Sequence, residues 1–369
     1  MKIRLYGQRN NLGGGTFFSG LSDALRSIYY IGGLITEVNT SDTPTLRSEI
    51  LGSQPDDINI WFWQCPAIDR AKGINIFWAI FESTRLPDWY LAYIKNHVNI
   101  VWAPSDWAYE VLIANGISPE MIDIVPGGVD INCFQPFLRK PYSAKSGTPF
   151  KFLTIGKYEE RKGYPQLLEG FKNAFGDSED VQLLIKGDFH LKHESKKEEL
   201  TALIKSYGLR NVKTYWGDWT QDLLIGLYNY ADSFVYPSRA EGWGLPLIEA
   251  IACGLPVTST FYSGHTEFLK PIKGKFIEIE STLENINDVE FQGYWENNNT
   301  DYGVWAKPNS ESITKNLLAL KSNYETHAEA ALQASKIIRT QFTWVKAAEC
   351  ALTSIQSRGI LRLQYEVQG

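Results

Sequence analysis

The stretch from Ser233 to Thr260 leaves the fewest options for how this 369-residue chain folds. Ser233-Phe234-Val235-Tyr236 reads as a strand closed by Pro237, and the turn after it carries Glu241 with Gly242 and Gly244 on either side of Trp243. Pro246 falls in the first turn of a helix, where its missing N–H would have had no partner. Gly254 and Pro256 end that helix, and Val257-Thr258-Ser259-Thr260 reads as the next strand. Glu241 and Glu249, with seven residues between them, therefore lie at the carboxyl edge of a sheet. Open α/β sheets bind ligands at that edge, beside helix N-termini that suit phosphate. A carboxylate there can accept hydrogen bonds from ribose or hexose hydroxyls, or it can serve the dipole and cap of its own helix. Ile248, Ala250 and Ile251 surround Glu249 with apolar side chains, so this carboxylate needs a partner.

The same alternation runs through most of the chain and divides it in two. In the first half, strands are expected at Ile3–Tyr6, Gly33–Val38, Ile58–Trp63, Ile74–Phe81, Ile100–Trp102 and Ile122–Val125, with helices near Phe17–Ile28, Thr45–Gly52, Pro87–His97 and Ser105–Asn115. A segment rich in Pro, Lys, Ser and Gly, Phe134 to Pro149, reads as a linker. A second series follows: strand Phe152–Ile155, helix Tyr164–Phe175, strand Val181–Lys186, helix His193–Tyr207, strand Val212–Trp216 and helix Gln221–Tyr230. After Lys270 the pattern dissolves, with Glu296–Thr300 loop-like, and helices return at Glu311–Thr340 and Thr343–Gln356. The reading is an α/β protein of two domains, 1–140 and 150–356, each with a mostly parallel sheet.

Composition narrows the function classes. A net charge of −6 argues against a nucleic-acid partner. Cys65, Cys133, Cys253 and Cys350 lie far apart, with no CxxC pair and no metal-ligand spacing, which points to a reducing cytoplasm and no metal site. No apolar run approaches the roughly 20 residues of a membrane span. Peripheral membrane contact stays open, although the first 140 residues hold no dense basic patch. Six of the 12 tryptophans (Trp61, Trp63, Trp78, Trp89, Trp102, Trp107) cluster in the first half; such rings can stack on sugars, but a packed core is the simpler use.

Two loops carry further chemistry. Asn10 to Thr16 contains Gly13-Gly14-Gly15 after the first strand and before a helix, where a ligand could approach bare N–H groups. Gly156 to Gly163 places Lys157 and Lys162 at the end of a strand and before a helix, as a diphosphate pocket would need, or else forms a solvated loop in which Lys157, Arg161 and Lys162 balance Glu159 and Glu160.

Lys157 through Gly163, followed by Glu241-Gly242-Trp243-Gly244-Leu245-Pro246-Leu247-Ile248-Glu249-Ala250, resembles the retaining glycosyltransferases of family four, which have the GT-B fold. Gly13-Gly14-Gly15, Ala103-Pro104-Ser105, Ile124 to Asp130 and Ser263-Gly264-His265-Thr266-Glu267-Phe268 agree with it, densely in the second half and sparsely in the first. The resemblance implies two Rossmann-like domains facing a cleft, with the last residues, 357–369, returning to the first domain. It implies no metal and no cofactor, and transfer of a hexose from a UDP- or GDP-sugar to a glycan, lipid-linked or small-molecule acceptor, by front-face attack with retention.

Residue by residue, Lys157 (where many members have Arg) and Lys162 would neutralise the diphosphate leaving group. Glu241 would hold hydroxyls of the transferred sugar, with the backbone of Gly242, Trp243, Gly244 and Leu245 completing the pocket. Glu249 would bind ribose, and Gly14 and Gly15 would approach the diphosphate from the other domain. Where many members place a histidine, the chain has Ala79-Ile80-Phe81-Glu82, so Glu82 is a candidate contact of the reacting sugar, against a capping or ion-pair role. His97 and His265 are weaker candidates, and Trp219 could lie near the base. A nucleotide-sugar epimerase of the same fold and a non-catalytic nucleotide-sugar binder remain as alternatives.

Overall fold

The computed structural model describes residues 1–10, 13–28, 31–62, 68–137, 147–188, 193–295 and 301–361. Most of the expected linker, Trp63, Cys65, Glu296–Thr300 and the last residues of the expected return, 362–369, lie outside them. The chain divides into two compact units.

Unit 1 comprises Met1–Ile80, Asp88–Gly128 and Phe342–Gly369. Its elements are β1 (Ile3–Gly7), α1 (Gly13–Ser27), β2 (Ile35–Asn39), α2 (Thr43–Leu51), β3 (Ile58–Phe62), β4 (Ile74–Trp78), α3 (Asp88–His97), β5 (Ile100–Ala103), α4 (Asp106–Ala114) and β6 (Ile122–Ile124). The six strands run parallel in the order β2-β1-β3-β4-β5-β6. β1, β3 and β5 are buried along their whole length, as strands of a parallel sheet covered on both faces are. Trp61, Trp78 and Trp102 are completely buried, so half of the tryptophan cluster is core; Trp89 stays exposed.

Unit 2 comprises Phe81–Pro87 and Val129–Gln341. It contains β7 (Phe150–Lys157), α5 (Tyr164–Phe175), β8 (Val181–Asp188), α6 (His193–Ser206), β9 (Val212–Tyr215), α7 (Gln221–Tyr230), β10 (Ser233–Tyr236), α8 (Leu245–Ala252), β11 (Val257–Thr260), α9 (Thr266–Leu269), β12 (Ile277–Ile279), β13 (Ser281–Asn285), α10 (Val289–Tyr294), β14 (Val304–Pro308), α11 (Ser310–Ser322) and α12 (Tyr324–Gln341). Its sheet is also parallel, in the order β12-β11-β10-β7-β8-β9. Strand order therefore reverses between the neighbours β7 and β10, the switch point outside which doubly wound sheets bind ligands.

Several boundaries differ from the sequence expectation. The three glycines are the first turn of α1 rather than a loop, and a Cβ on Gly15 would stand 2.2 Å from Asn10 Oδ1, so that glycine is required by local packing. The long helix expected at Glu311–Thr340 breaks at Asn323 into α11 and α12. The strand expected to run to Phe81 stops at Trp78, and Phe81–Pro87 packs in unit 2. The region where periodicity dissolved holds an antiparallel hairpin, β13 and β14, and Trp305 of β14 forms a small core with Ala240 and with Ile286, Phe291 and Tyr302 from the chain between the two strands.

That hairpin fastens the Phe81–Pro87 segment: Arg85 N donates to Tyr302 O (3.0 Å), Val304 N to Thr84 Oγ1 (2.9 Å) and Trp305 Nε1 to Glu82 O (2.7 Å). The chain returns to unit 1 at Phe342 rather than at Ser357, because all of α13 (Trp344–Ser357) packs there against α1. Trp344 lies flat against Gly20, where an added Cβ would come 2.2 Å from the indole, and Ser354 Oγ accepts from Trp102 Nε1 at 2.8 Å. Gly20→Val is expected to unseat α13 and destabilise the protein by about 1–3 kcal/mol, read as a lower urea midpoint; an unchanged midpoint would show that this helix contact contributes nothing.

Candidate active site

Lys157, Arg161, Lys162 and Glu241 all leave the sheet of unit 2 at the β7/β10 switch point. After β7 the chain makes one 3-10 turn, Glu160–Lys162, and Gly163 then adopts φ +67° to start α5. A Cβ on Gly163 would stand 2.2 Å from Pro237 O, so this turn lies directly against the chain leaving β10. Arg239 N donates to Arg161 O at 2.7 Å and locks the two loops together.

The contact delivers Lys162 to Glu241, 79 positions later in sequence: Nζ donates to Oε1 at 2.5 Å. Arg161 Nη1 stands 3.0 Å from Glu241 Oε2 and donates to Ala240 O at 2.7 Å. Ser238 Oγ donates to Glu241 Oε1 at 2.5 Å. Arg161 Nη2 meets Glu159 Oε2 at 3.1 Å and Glu82 Oε1 at 3.8 Å. Arg161 is therefore buried at the centre of three carboxylates and is not part of a solvated loop. Sequence reasoning passed over it because its charge balanced its neighbours; the signal available was an Arg-Lys pair one residue before the helix-opening glycine.

The electrostatics follow from burial and pairing. Burial would raise the carboxyl of Glu241, but Lys162 and Arg161 outweigh it and hold the group far below the usual carboxylate range. Burial lowers Lys162, and Glu241 opposes it; Arg161, flanked by Glu241, Glu82 and Glu159, is driven well above the usual guanidinium value despite burial. Glu241 is thus held as a carboxylate by Lys162 and the buried Arg161. Lys157 lies half-buried at the end of β7, with Nζ 3.8 Å from Glu159 Oε1.

Glu249 is apart from that cluster, on α8, where Tyr228 Oη donates to its Oε2 at 2.8 Å and to Pro246 O at 3.1 Å. Burial pushes its carboxyl up to about 7 against the hydrogen bond from Tyr228. Gly244 has φ +94° and opens α8, while Gly242 and Trp243 are buried in the turn before it and Leu245 is the first residue of the helix. Gly14 and Gly15 are in unit 1, in the first turn of α1. His265 is completely buried, with Nε2 2.8 Å from Thr260 O; burial lowers it to about 4, which keeps it neutral. His97 packs edge-on to Tyr93 in unit 1. Trp219 has Lys186 Nζ 5.7 Å from its ring centre, at the end of β8. Among the described residues no group of His, Cys, Asp and Glu is arranged to hold a metal, and no helix is long and apolar enough to cross a membrane.

The raised Glu249 carboxyl makes stability depend on pH. A carboxyl that binds its proton more tightly folded than unfolded favours folding below its usual value near 4.5, and that contribution is lost as pH rises to about 7. Glu249→Gln is therefore expected to melt close to the unaltered protein at pH 5 and above it at pH 8. A melting difference that does not vary with pH would show that Glu249 does not titrate in this range.

Residues 138–289 match the family of glycosyl transferases group 1. The D-inositol 3-phosphate glycosyltransferase of Arthrobacter sp. is 34% identical over 189 residues, 50% of this chain and 44% of that protein. Mannosylfructose-phosphate synthase of Agrobacterium fabrum is 29% identical over 46% of this chain and 39% of its own length. The chain thus spans less than half the length of these two relatives. Among solved structures, a glycosyltransferase of Rickettsia africae superposes with a TM-score of 0.70 at 16% identity, covering 98% of this chain and 99% of that one. HepE of Anabaena, solved with UDP-glucose, gives 0.70 at 15% identity over 97% and 100%. Residues 138–289, which match the group 1 glycosyl transferases, hold Lys157, Arg161, Lys162, Glu241 and Glu249, and the fold of the chain is that of the GT-B glycosyltransferase structures.

Proposed function

We propose that this chain transfers a hexose from a nucleoside-diphosphate sugar, UDP- or GDP-linked, to the hydroxyl of a glycan, lipid-linked or small-molecule acceptor, with retention and without a metal. The observation that carries this reading is the convergence of Lys162, Arg161 and anionic Glu241 at the switch point. In the reaction the bond from the sugar's anomeric carbon to the diphosphate oxygen breaks, and the acceptor oxygen bonds to that carbon from the same face. The acceptor's proton passes to an oxygen of the departing phosphate. Lys157 and Lys162 neutralise the charge that builds on that leaving group, which replaces what a metal would supply. Glu241, kept ionised, accepts hydrogen bonds from the sugar's hydroxyls, next to the turn formed by Gly242, Trp243, Gly244 and Leu245.

Glu249 accepts from the ribose in addition to Tyr228. Glu82, held near Arg161, is a second carboxylate for the reacting sugar. The role given to Gly14 and Gly15 rests on the family resemblance. HepE of Anabaena, solved in complex with UDP-glucose, supports a nucleotide sugar as the donor here, and the names of the two relatives support glycosyl transfer.

A thermal-shift screen against UDP-, GDP- and ADP-sugars is expected to single out one nucleotide, since a ligand bound only by the folded state raises its melting temperature. With that donor, a chelator is expected to leave transfer intact; loss restored by added metal would overturn the metal-free reading. Lys162→Ala is expected to lower kcat by about a hundredfold or more with a much smaller change in donor affinity. A raised KM at unchanged kcat would remove Lys162 from the leaving-group role. Conversion of the donor sugar with no acceptor present would favour an epimerase.

A further inference from the structure

Ser263 is, among the described residues other than glycine, the one with a positive φ, at +64°. The left-handed region is uncommon for a residue with a Cβ and natural for glycine, so a serine kept there is held by its surroundings. Ser263 is buried, and its hydroxyl accounts for the constraint: Oγ accepts from the backbone N–H of Glu241 at 2.7 Å and donates to Tyr262 O at 2.6 Å. Its carbonyl accepts from Thr266 N at 3.0 Å and Thr266 Oγ1 at 2.6 Å.

The next residue grips the other backbone polar group of Glu241, its carbonyl. Gly264 N donates to Glu241 O at 2.9 Å, and a Cβ on Gly264 would stand 2.1 Å from Gly242 O. His265 follows, its Cβ within 3.1 Å of where a side chain on Gly244 would begin. Thr260 Oγ1 donates to Ser238 O at 2.5 Å. The turn between β11 and α9 is thus a mould for the turn between β10 and α8, and it holds Glu241 through the Ser263 hydroxyl and the Gly264 N–H.

We propose that Ser263 is a positioning residue: its hydroxyl, held in a strained backbone, fixes the Glu241 peptide so that the carboxylate meets the transferred sugar. The inference rests on the sugar-binding role proposed for Glu241. Strain that contributes nothing to folding but persists at a site is expected where it sets the site's geometry.

Ser263→Gly and Ser263→Ala separate the two effects, because both remove the hydroxyl while only glycine relieves the backbone. Both variants are expected to lose about tenfold in kcat/KM and in calorimetric affinity for the intact nucleotide sugar, and to keep the affinity of the unaltered protein for the free nucleoside diphosphate. Ser263→Gly is expected to melt above Ser263→Ala. Wild-type kcat/KM in Ser263→Gly would overturn the proposal, as would activity losses that simply follow melting temperature or an equal loss of free-nucleotide affinity. If the unaltered protein transfers no sugar, the proposed function fails, and the split between intact-donor and free-nucleotide affinity still decides the role of Ser263.

Discussion

A carboxylate taken out of water must be compensated, and the compensation of Glu241 organises unit 2. Its charge is met by Lys162, Arg161 and Ser238, its backbone by Ser263 and Gly264. Removing one partner of such a buried pair leaves an uncompensated charge and costs about 3–5 kcal/mol, whereas an apolar replacement of the whole cluster would often be neutral or better for stability. The cluster is therefore poor evidence for stabilisation and good evidence for a site whose charges have another use.

That compensation is available only because two loops distant in sequence leave adjacent parallel strands. The β7–β10 pairing brings the lysine turn and the glutamate turn to the same edge, and two left-handed glycines, Gly163 and Gly244, let the chain turn sharply into α5 and α8 while the loops stay in contact. The two glutamates of the motif consequently meet different environments. Glu241 is surrounded by cations and stays ionised; Glu249 has a tyrosine and apolar neighbours, and its proton is held up to about neutral pH. Identical side chains eight positions apart thus differ in charge state for reasons of packing alone.

The hairpin β13–β14 adds a second layer. It packs Trp305 and Tyr302 beside Ala240 and fixes Phe81–Pro87 through three backbone-directed hydrogen bonds, so Glu82 enters the neighbourhood of Arg161 although its sequence position belongs to the first α/β series. Gly303 permits the approach, since with φ +83° and Thr84 Oγ1 1.9 Å from its would-be Cβ no larger residue fits.

Much of this was legible from residue order. Apolar runs ending in glycine or proline, followed by helical spacing, sufficed for two parallel α/β units, and the Glu-x7-Glu turn with the lysine loop carried the resemblance to glycosyltransferases. The signals that failed share a cause. Arg161 looked solvated, the hairpin looked structureless and the start of the Phe81–Pro87 segment looked like strand because each depends on partners far along the chain: Glu241, Ala240 and, through Arg85, Tyr302 respectively. The same holds for the chain's return at Phe342, which is set by the fit of Trp344 against Gly20. Sequence by itself determined which residues are ionisable and which edge of the sheet they occupy, because helix starts and strand ends are local events. Only the tertiary structure decided which charges are buried together, because desolvation and pairing arise from neighbours that local order does not specify.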